Sequence, residues 1–156
     1  MSLDYSQMGP RILYGLCRTR PTTKDCYRVT GYERYRSGIK KVFNAMTFAD
    51  KKMIRFQKVV KQMFKEDIRF QEVSNAIQRY HSGIAHKFYV GIGHYLQYLE
   101  SQILIKVLLG LKDLGIHALP IHDAVVVGRA WVDMSRQLME QVFLDMTNVE
   151  SWVQVE

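Results

Sequence analysis

The stretch Leu119-Pro120-Ile121-His122-Asp123-Ala124-Val125-Val126-Val127 places two ionisable residues inside an otherwise apolar run. β-Branched and other apolar residues on both sides predict two short strands, 116–121 and 124–127, joined at His122-Asp123. In such a hairpin both polar side chains project from the end of a sheet. Asp123 is also a residue that makes turns through its own side chain, so a purely structural role remains an alternative.

Helical patterns precede and follow this hairpin. Apolar residues at helical spacing, with Gly115 as a stop signal after the longest pattern, predict five helices, and a last short stretch alternates like a strand. The expected helices are 7–16, 32–45, 67–80, 94–114 and 131–146, and the expected last strand is 152–155. This order predicts an α+β fold, in which a small antiparallel sheet with a β-turn-β element packs against several helices.

A further helix is expected over 51–69, opened by a capping box formed by Thr47 and Asp50. Its basic residues recur every three or four positions and would form one stripe on the helix surface. A stripe of this kind binds nucleic-acid phosphates by releasing counterions, although a merely solvated helix face has the same pattern. The candidate nucleic-acid-binding residues of the stripe are Lys51, Arg55, Lys58 and Lys65.

Composition excludes several classes of protein. The 22 Lys and Arg exceed the 15 Asp and Glu by seven charges, which favours a polyanionic partner. Only Cys17 and Cys26 are present, too few for a disulfide scaffold or a four-cysteine zinc site. The longest apolar run, 103–111, contains Lys106 and is too short to cross a bilayer. Asp4 lies where a signal peptide would be apolar, so we expect a cytoplasmic protein with no membrane partner.

Asp4 has a setting similar to that of Asp123, because it follows an apolar residue and precedes a predicted helix. A helix N-cap is one interpretation of Asp4. The other is that Asp4 and Asp123 each end a strand and together provide the hard oxygen ligands that Mg²⁺ prefers. A pair of such ions stabilises the attacking and leaving oxygens in phosphoryl transfer.

Several segments, in this order, resemble the motifs of family A DNA polymerases, the DNA polymerase I-like group. Asp4-Tyr5-Ser6-Gln7-Met8-Gly9-Pro10-Arg11 is similar to the palm motif D-Y-S-Q-I-E-L-R. Arg36 and Lys40 keep the R-x-x-x-K spacing of the fingers helix. Gln97, with the stretch 101–106, looks like the helix Q-x-x-x-x-x-I-I-K, and His122-Asp123-Ala124 is similar to H-D-E.

The resemblance implies a role for each matching residue. Asp4 and Asp123 would be the catalytic carboxylates that bind Mg²⁺ or Mn²⁺, while Arg36 and Lys40 would bind the phosphates of a deoxynucleoside triphosphate. His122 would lie near the primer terminus, and Gln97 near the minor groove of the DNA. The alternatives are an exposed helix face for Arg36, Lys40 and Gln97, and a turn for His122.

The resemblance also implies a domain organisation. Residues 1–156 would form a single polymerase-like palm with reduced fingers at 31–81. A thumb and any exonuclease would lie upstream and are absent from these residues, so the remainder of a longer polymerase-like chain is an expected partner. Two positions depart from the family: Gly9 replaces a Glu that helps to exclude a ribose 2′-hydroxyl, and Ala124 replaces the Glu of H-D-E.

Three functions remain open at this point. The first is nucleotidyl transfer to a nucleic-acid primer end, as in a family A-like DNA polymerase that acts in DNA replication. The second is a catalytically inactive polymerase-like module that binds nucleic acid. The third is a protein-interaction domain without affinity for nucleotides. Whether the chain is an enzyme is therefore left undecided by the sequence.

Overall fold

A computed structural model describes residues 1–156, and its α+β fold agrees with the expectation from the sequence. The four strands form one antiparallel sheet in the order β2-β3-β1-β4. The predicted hairpin is confirmed, with β2 two residues shorter than expected. The strands are β1 (Ser2–Tyr5), β2 (Ala118–Ile121), β3 (Ala124–Val127) and β4 (Val153–Val155).

The chain forms two compact units. One, here called the sheet unit, comprises Met1–Arg20 and Leu96–Glu156. The other, here called the helical unit, is the continuous segment Pro21–Tyr95, which contains all of the expected fingers-like region 31–81.

Alternation along β1 determines what the two faces of the sheet carry. Leu3 and Tyr5 are buried, and the Tyr5 hydroxyl donates a hydrogen bond to the Met139 carbonyl at 2.6 Å. The Tyr5 ring lies 5.3 Å from the ring of Phe143. Since side chains of neighbouring strand residues point to opposite faces, Asp4 lies on the face away from this core.

Three helices belong mainly to the sheet unit, and each begins and ends within two residues of its expected position. The last turn of the longest one is closed by Gly115, which has the left-handed φ of 73° and donates its N–H to the Lys112 carbonyl at 2.9 Å. The helices are α1 (Met8–Leu16), α5 (Gly93–Asp113) and α6 (Val132–Thr147).

The helical unit contains α2 (Arg36–Phe48), α3 (Lys58–Lys61) and α4 (Phe70–Tyr80). The expected buried side of α2 is confirmed, because Ile39, Val42 and Phe43 are at most 2% exposed. The start of α4 falls at Phe70 instead of residue 67, since the Glu72 carboxylate accepts a hydrogen bond from the Arg69 N–H at 3.2 Å.

The expected helix over 51–69 is wrong, because only the four residues of α3 are helical there. Thr47 does not cap a helix: it is buried within α2, where its hydroxyl donates to the Phe43 carbonyl at 2.8 Å. The Phe56 ring stacks on Phe64 at 4.9 Å and meets Phe70 edge-on at 5.3 Å. Aromatic packing across loops therefore overrides the helical spacing, and the basic residues form no helical stripe.

The helices of the structure are all too short or too polar to cross a bilayer. Cys17 and Cys26 are not disulfide-bonded.

Candidate active site

The backbone brings Asp4 and Asp123 to neighbouring positions in the sheet. Asp4 lies within β1, where it pairs with Ala124 of β3 on one side and Gln154 of β4 on the other. Asp123 directly precedes Ala124, so it is one residue from the position opposite Asp4. The N-cap interpretation of Asp4 is wrong, because α1 starts only at Met8 and Asp4 is a strand residue.

The exposed turn His122-Asp123 connects β2 to β3, since Ile121 pairs with Ala124 across it. His122 has a φ of 56°, a left-handed conformation that non-glycine residues adopt at a cost. The structure therefore places both candidate residues of the H-D-A motif at the tip of a two-residue turn, where neither side chain is buried.

A third carboxylate, which the sequence analysis did not identify, lies beside this pair. Glu100 of α5 is half-buried, and burial followed by the negative charge of Asp123 raises the pKa of its carboxyl group. A Cβ atom at Gly9 would lie only 3.3 Å from Glu100 Oε1. The carboxylates of Glu100 and Asp123 form no salt bridge, so this end of the sheet concentrates uncompensated negative charge.

Gln97 is exposed on α5, one helical turn before Glu100. Residues three apart lie on the same side of a helix, so Gln97 is on the side that carries Glu100. That spacing from a residue already selected was the only signal in the sequence that could have pointed to Glu100.

Arg11, the last residue of the first motif, supports the sheet instead of the site. Its side chain is buried and donates to the Glu150 carbonyl at 3.2 Å. Its guanidinium lies 4.2 Å from the ring centroid of Trp152, the residue just before β4. Arg11 thus connects α1 to the segment leading into β4.

In the helical unit, Arg36 and Lys40 lie one turn apart at the start of α2. Both cations are near the Tyr27 ring, at 5.6 Å and 5.9 Å from its centroid. Arg36 forms a two-point salt bridge with Asp25, at 2.6 Å and 3.2 Å, which the sequence did not indicate. Burial alone would raise the pKa of Asp25, but hydrogen bonds from Arg36 and the Tyr27 N–H outweigh it and lower that pKa. Lys40 is exposed and has no salt bridge.

The four candidate residues of the basic segment are also in the helical unit. All are exposed, and none forms a salt bridge. They are Lys51, Arg55, Lys58 and Lys65. They lie on irregular backbone and the single turn of α3, so they are available to a ligand without being arranged on one helix face.

The acidic group was tested for its fit to a divalent cation. No group of three or more His, Cys, Asp and Glu side chains in the structure is placed to hold a metal ion. Mg²⁺, however, is usually held in nucleotide enzymes by one or two carboxylates together with substrate phosphates and water. Asp4 and Asp123 fit that requirement in number and in ligand type.

Comparison with known proteins gives no relative: no protein-family model matches the chain, and a search of curated proteins finds no match. The relationship to family A polymerases therefore depends on the motifs and on the site geometry described above.

Proposed function

We propose that the chain transfers nucleotides to a nucleic-acid primer end, as a family A-like DNA polymerase domain or a fragment of one. The observation that supports this most is the pairing of β1 with β3, which brings the acidic residues of two motifs far apart in the sequence to adjacent positions. The hairpin geometry and the neighbouring negative charge of Glu100 agree with a site that acts on a cationic cofactor and phosphates.

Asp4 and Asp123 would hold Mg²⁺ or Mn²⁺, which when bound supplies charge stabilisation on the transferring phosphoryl group. In the reaction, the primer 3′-oxygen forms a bond to the α-phosphorus, its proton goes to solvent, and pyrophosphate leaves with the electrons of the broken bond. The contribution of the chain is positioning, because phosphoryl transfer needs little covalent chemistry from a protein.

The other candidate residues bind and orient. Lys40, exposed and without a salt bridge, would contact the phosphates of the deoxynucleoside triphosphate, and Arg36 would share its guanidinium between Asp25 and the same phosphates. His122 at the turn would contact the primer terminus, and Gln97 the minor-groove edge of the DNA. A polymerase-like thumb upstream of these residues would complete the grip on the duplex.

We also propose that this activity belongs to DNA replication in the cytoplasm. Supporting this, Cys17 and Cys26 are not disulfide-bonded, as expected in a reducing compartment.

A second candidate function is a catalytically inactive module that binds nucleic acid. It is favoured by Gly9 and Ala124, which lack the carboxylates of the family motifs, and by the absence of any three-member metal-binding group. In that case the exposed basic segment would carry the affinity.

A primer-extension assay with a DNA primer-template, deoxynucleoside triphosphates and Mg²⁺ or Mn²⁺ tests the first candidate. We expect Asp4→Asn and Asp123→Asn each to slow extension by about 100-fold or more, because each removes charge that acts on the transferred group. The matched control is Asp113→Asn, which changes an exposed acid at the end of α5. Extension at the wild-type rate by either site variant would refute the assignment, whereas salt-sensitive DNA binding without any extension would favour the second candidate.

A further inference from the structure

The segment 51–65 carries six Lys or Arg residues and no Asp or Glu. Five of these cations are exposed and form no salt bridge. They are Lys51, Lys52, Arg55, Lys58 and Lys65. The sixth, Lys61, has a structural role, because its ammonium donates to the carbonyls of Glu66 and Ile68 at 3.0 Å and 2.8 Å.

The fold holds this segment in a defined shape although little of it is helical. Val60 and Phe64 are 6% exposed, and Phe64 packs so closely on α2 that a Cβ at Gly38 would lie 2.7 Å from its ring. Phe56 stacks on Phe64. The inner side of the segment is thus anchored, and the charged side chains lie on its outer side.

Apolar groups are interleaved with the exposed cations. Ile54 is 83% exposed and Val59 is 74% exposed, the two highest values among the large hydrophobic residues of the chain. Next to them, Phe56 lines an open pocket of about 520 Å³ together with Arg55, Gln57 and Lys58. A ligand for this surface must offer negative charge and apolar faces at close spacing.

We propose that segment 51–65 binds an unpaired nucleic-acid strand, with a base beside Phe56 and backbone phosphates on Arg55 and Lys58. Unpaired bases expose flat apolar faces that stack on aromatic rings, while their phosphates attract cations. In a duplex the same faces are covered by neighbouring bases. An anionic membrane fits less well, because α3 has only four residues and offers no amphipathic helix face.

This proposal extends the proposed function by naming a strand type, and it uses none of the carboxylates of the candidate active site. It can therefore be tested in EDTA, and on the Asp4→Asn/Asp123→Asn background, where nucleotidyl transfer is not expected. Strand binding that persists there while primer extension is absent would support the proposal and count only against the enzyme.

The experiment is fluorescence anisotropy of the full chain with a labelled oligothymidylate of about 20 nucleotides, from about 50 to 200 mM salt. A blunt duplex of the same length and vesicles containing phosphatidylserine are measured in parallel. We expect the single strand to bind at least about tenfold more tightly than the duplex, because base stacking adds to the phosphate contacts.

Variants separate charge from apolar contact. Arg55→Gln/Lys58→Gln should weaken strand binding and reduce the dependence of log K on log salt by about two, one for each lost phosphate contact. Ile54→Ser should weaken binding without changing that slope. The charge-matched control is Lys112→Gln/Arg129→Gln, two exposed residues of the sheet unit.

Phe56→Leu removes the stacking surface, and its thermal unfolding must be measured because Phe56 is part of the aromatic packing. Should that variant fail to fold, Ile54→Ser and Arg55→Gln/Lys58→Gln decide the matter. The proposal is overturned by equal affinity for duplex and single strand, by equal losses in the control pair, or by binding to vesicles alone.

Discussion

His122 illustrates how a single residue can be costly for folding and still be retained. Its left-handed φ of 56° at the turn between β2 and β3 is a conformation in which glycine has no steric penalty. The side chain at this position is exposed, so burial does not repay the cost. We interpret His122 as a residue whose side chain serves the site and not the hairpin.

Replacing His122 by glycine should therefore separate stability from function. We expect His122→Gly to raise the free energy of unfolding by about 1 kcal/mol, because the strained conformation becomes unstrained. Urea unfolding measures this, and primer extension on the same protein should fall. His122→Val, which is β-branched, should lower stability instead; a stability ranking of valine above glycine would contradict the interpretation.

Residue-scale partners were the least predictable part of the site. Asp123 and Asp4 could be proposed from their motifs, since both belong to short patterns of fixed spacing. Glu100 and Asp25 could not, because each meets its partner through tertiary packing: Glu100 approaches Asp123 from another element, and Asp25 reaches Arg36 across a loop. No local pattern encodes such a contact.

At the scale of elements, the hairpin and the long helices could be predicted while the basic segment could not. The hairpin has alternating apolar residues and a turn of its own, so local preferences and packing agree. In 51–69 the spacing of charges suggested a helix, but the stabilising contacts are those of Phe56 with Phe64 and Phe70, which require the chain to fold back. Tertiary packing then decides against the local period.

The anchoring of this segment on α2 gives a prediction whose sign is informative. Gly38→Ala in an ordinary helix would stabilise by about 1 kcal/mol. Here the new methyl group would lie 2.7 Å from the Phe64 ring, so we expect a net loss of about 1–3 kcal/mol. Thermal or urea unfolding measures it, with Ser37→Ala at the exposed neighbouring position as the control. A stabilised Gly38→Ala protein would mean that the close packing of Phe64 on α2 is absent.

At the scale of the whole molecule, the two units should respond differently to acid. His81 is buried in the helical unit, with Nε2 2.7 Å from the Cys26 carbonyl oxygen. Burial lowers its pKa from 6.5 to about 4, and the hydrogen bond to Cys26 only partly opposes this. Below pH 6.5 the unfolded chain therefore binds a proton at this position that the folded chain does not.

The helical unit should accordingly lose up to about 3 kcal/mol of stability between pH 6.5 and pH 4. Below pH 3.8 a further loss is expected as Asp25, whose pKa is lowered in the folded chain, becomes protonated. Hydrogen-exchange protection factors of α4 measured at pH 7 and pH 5 check this. His81→Gln should flatten the pH dependence and His117→Gln, at an exposed position, should leave it unchanged. Equal pH dependence in wild type and His81→Gln would refute the assignment.

The strand order also determines when each unit can form during synthesis. The helical unit is one continuous stretch and can pack as soon as residue 95 has left the ribosome. The strand β1 is made first of all, yet its partners β3 and β4 are made more than a hundred residues later. Until then Leu3 and Leu13 have no core to enter. The oldest part of the nascent chain is thus among the last to fold, and it is the part through which we expect chaperones to recognise this protein.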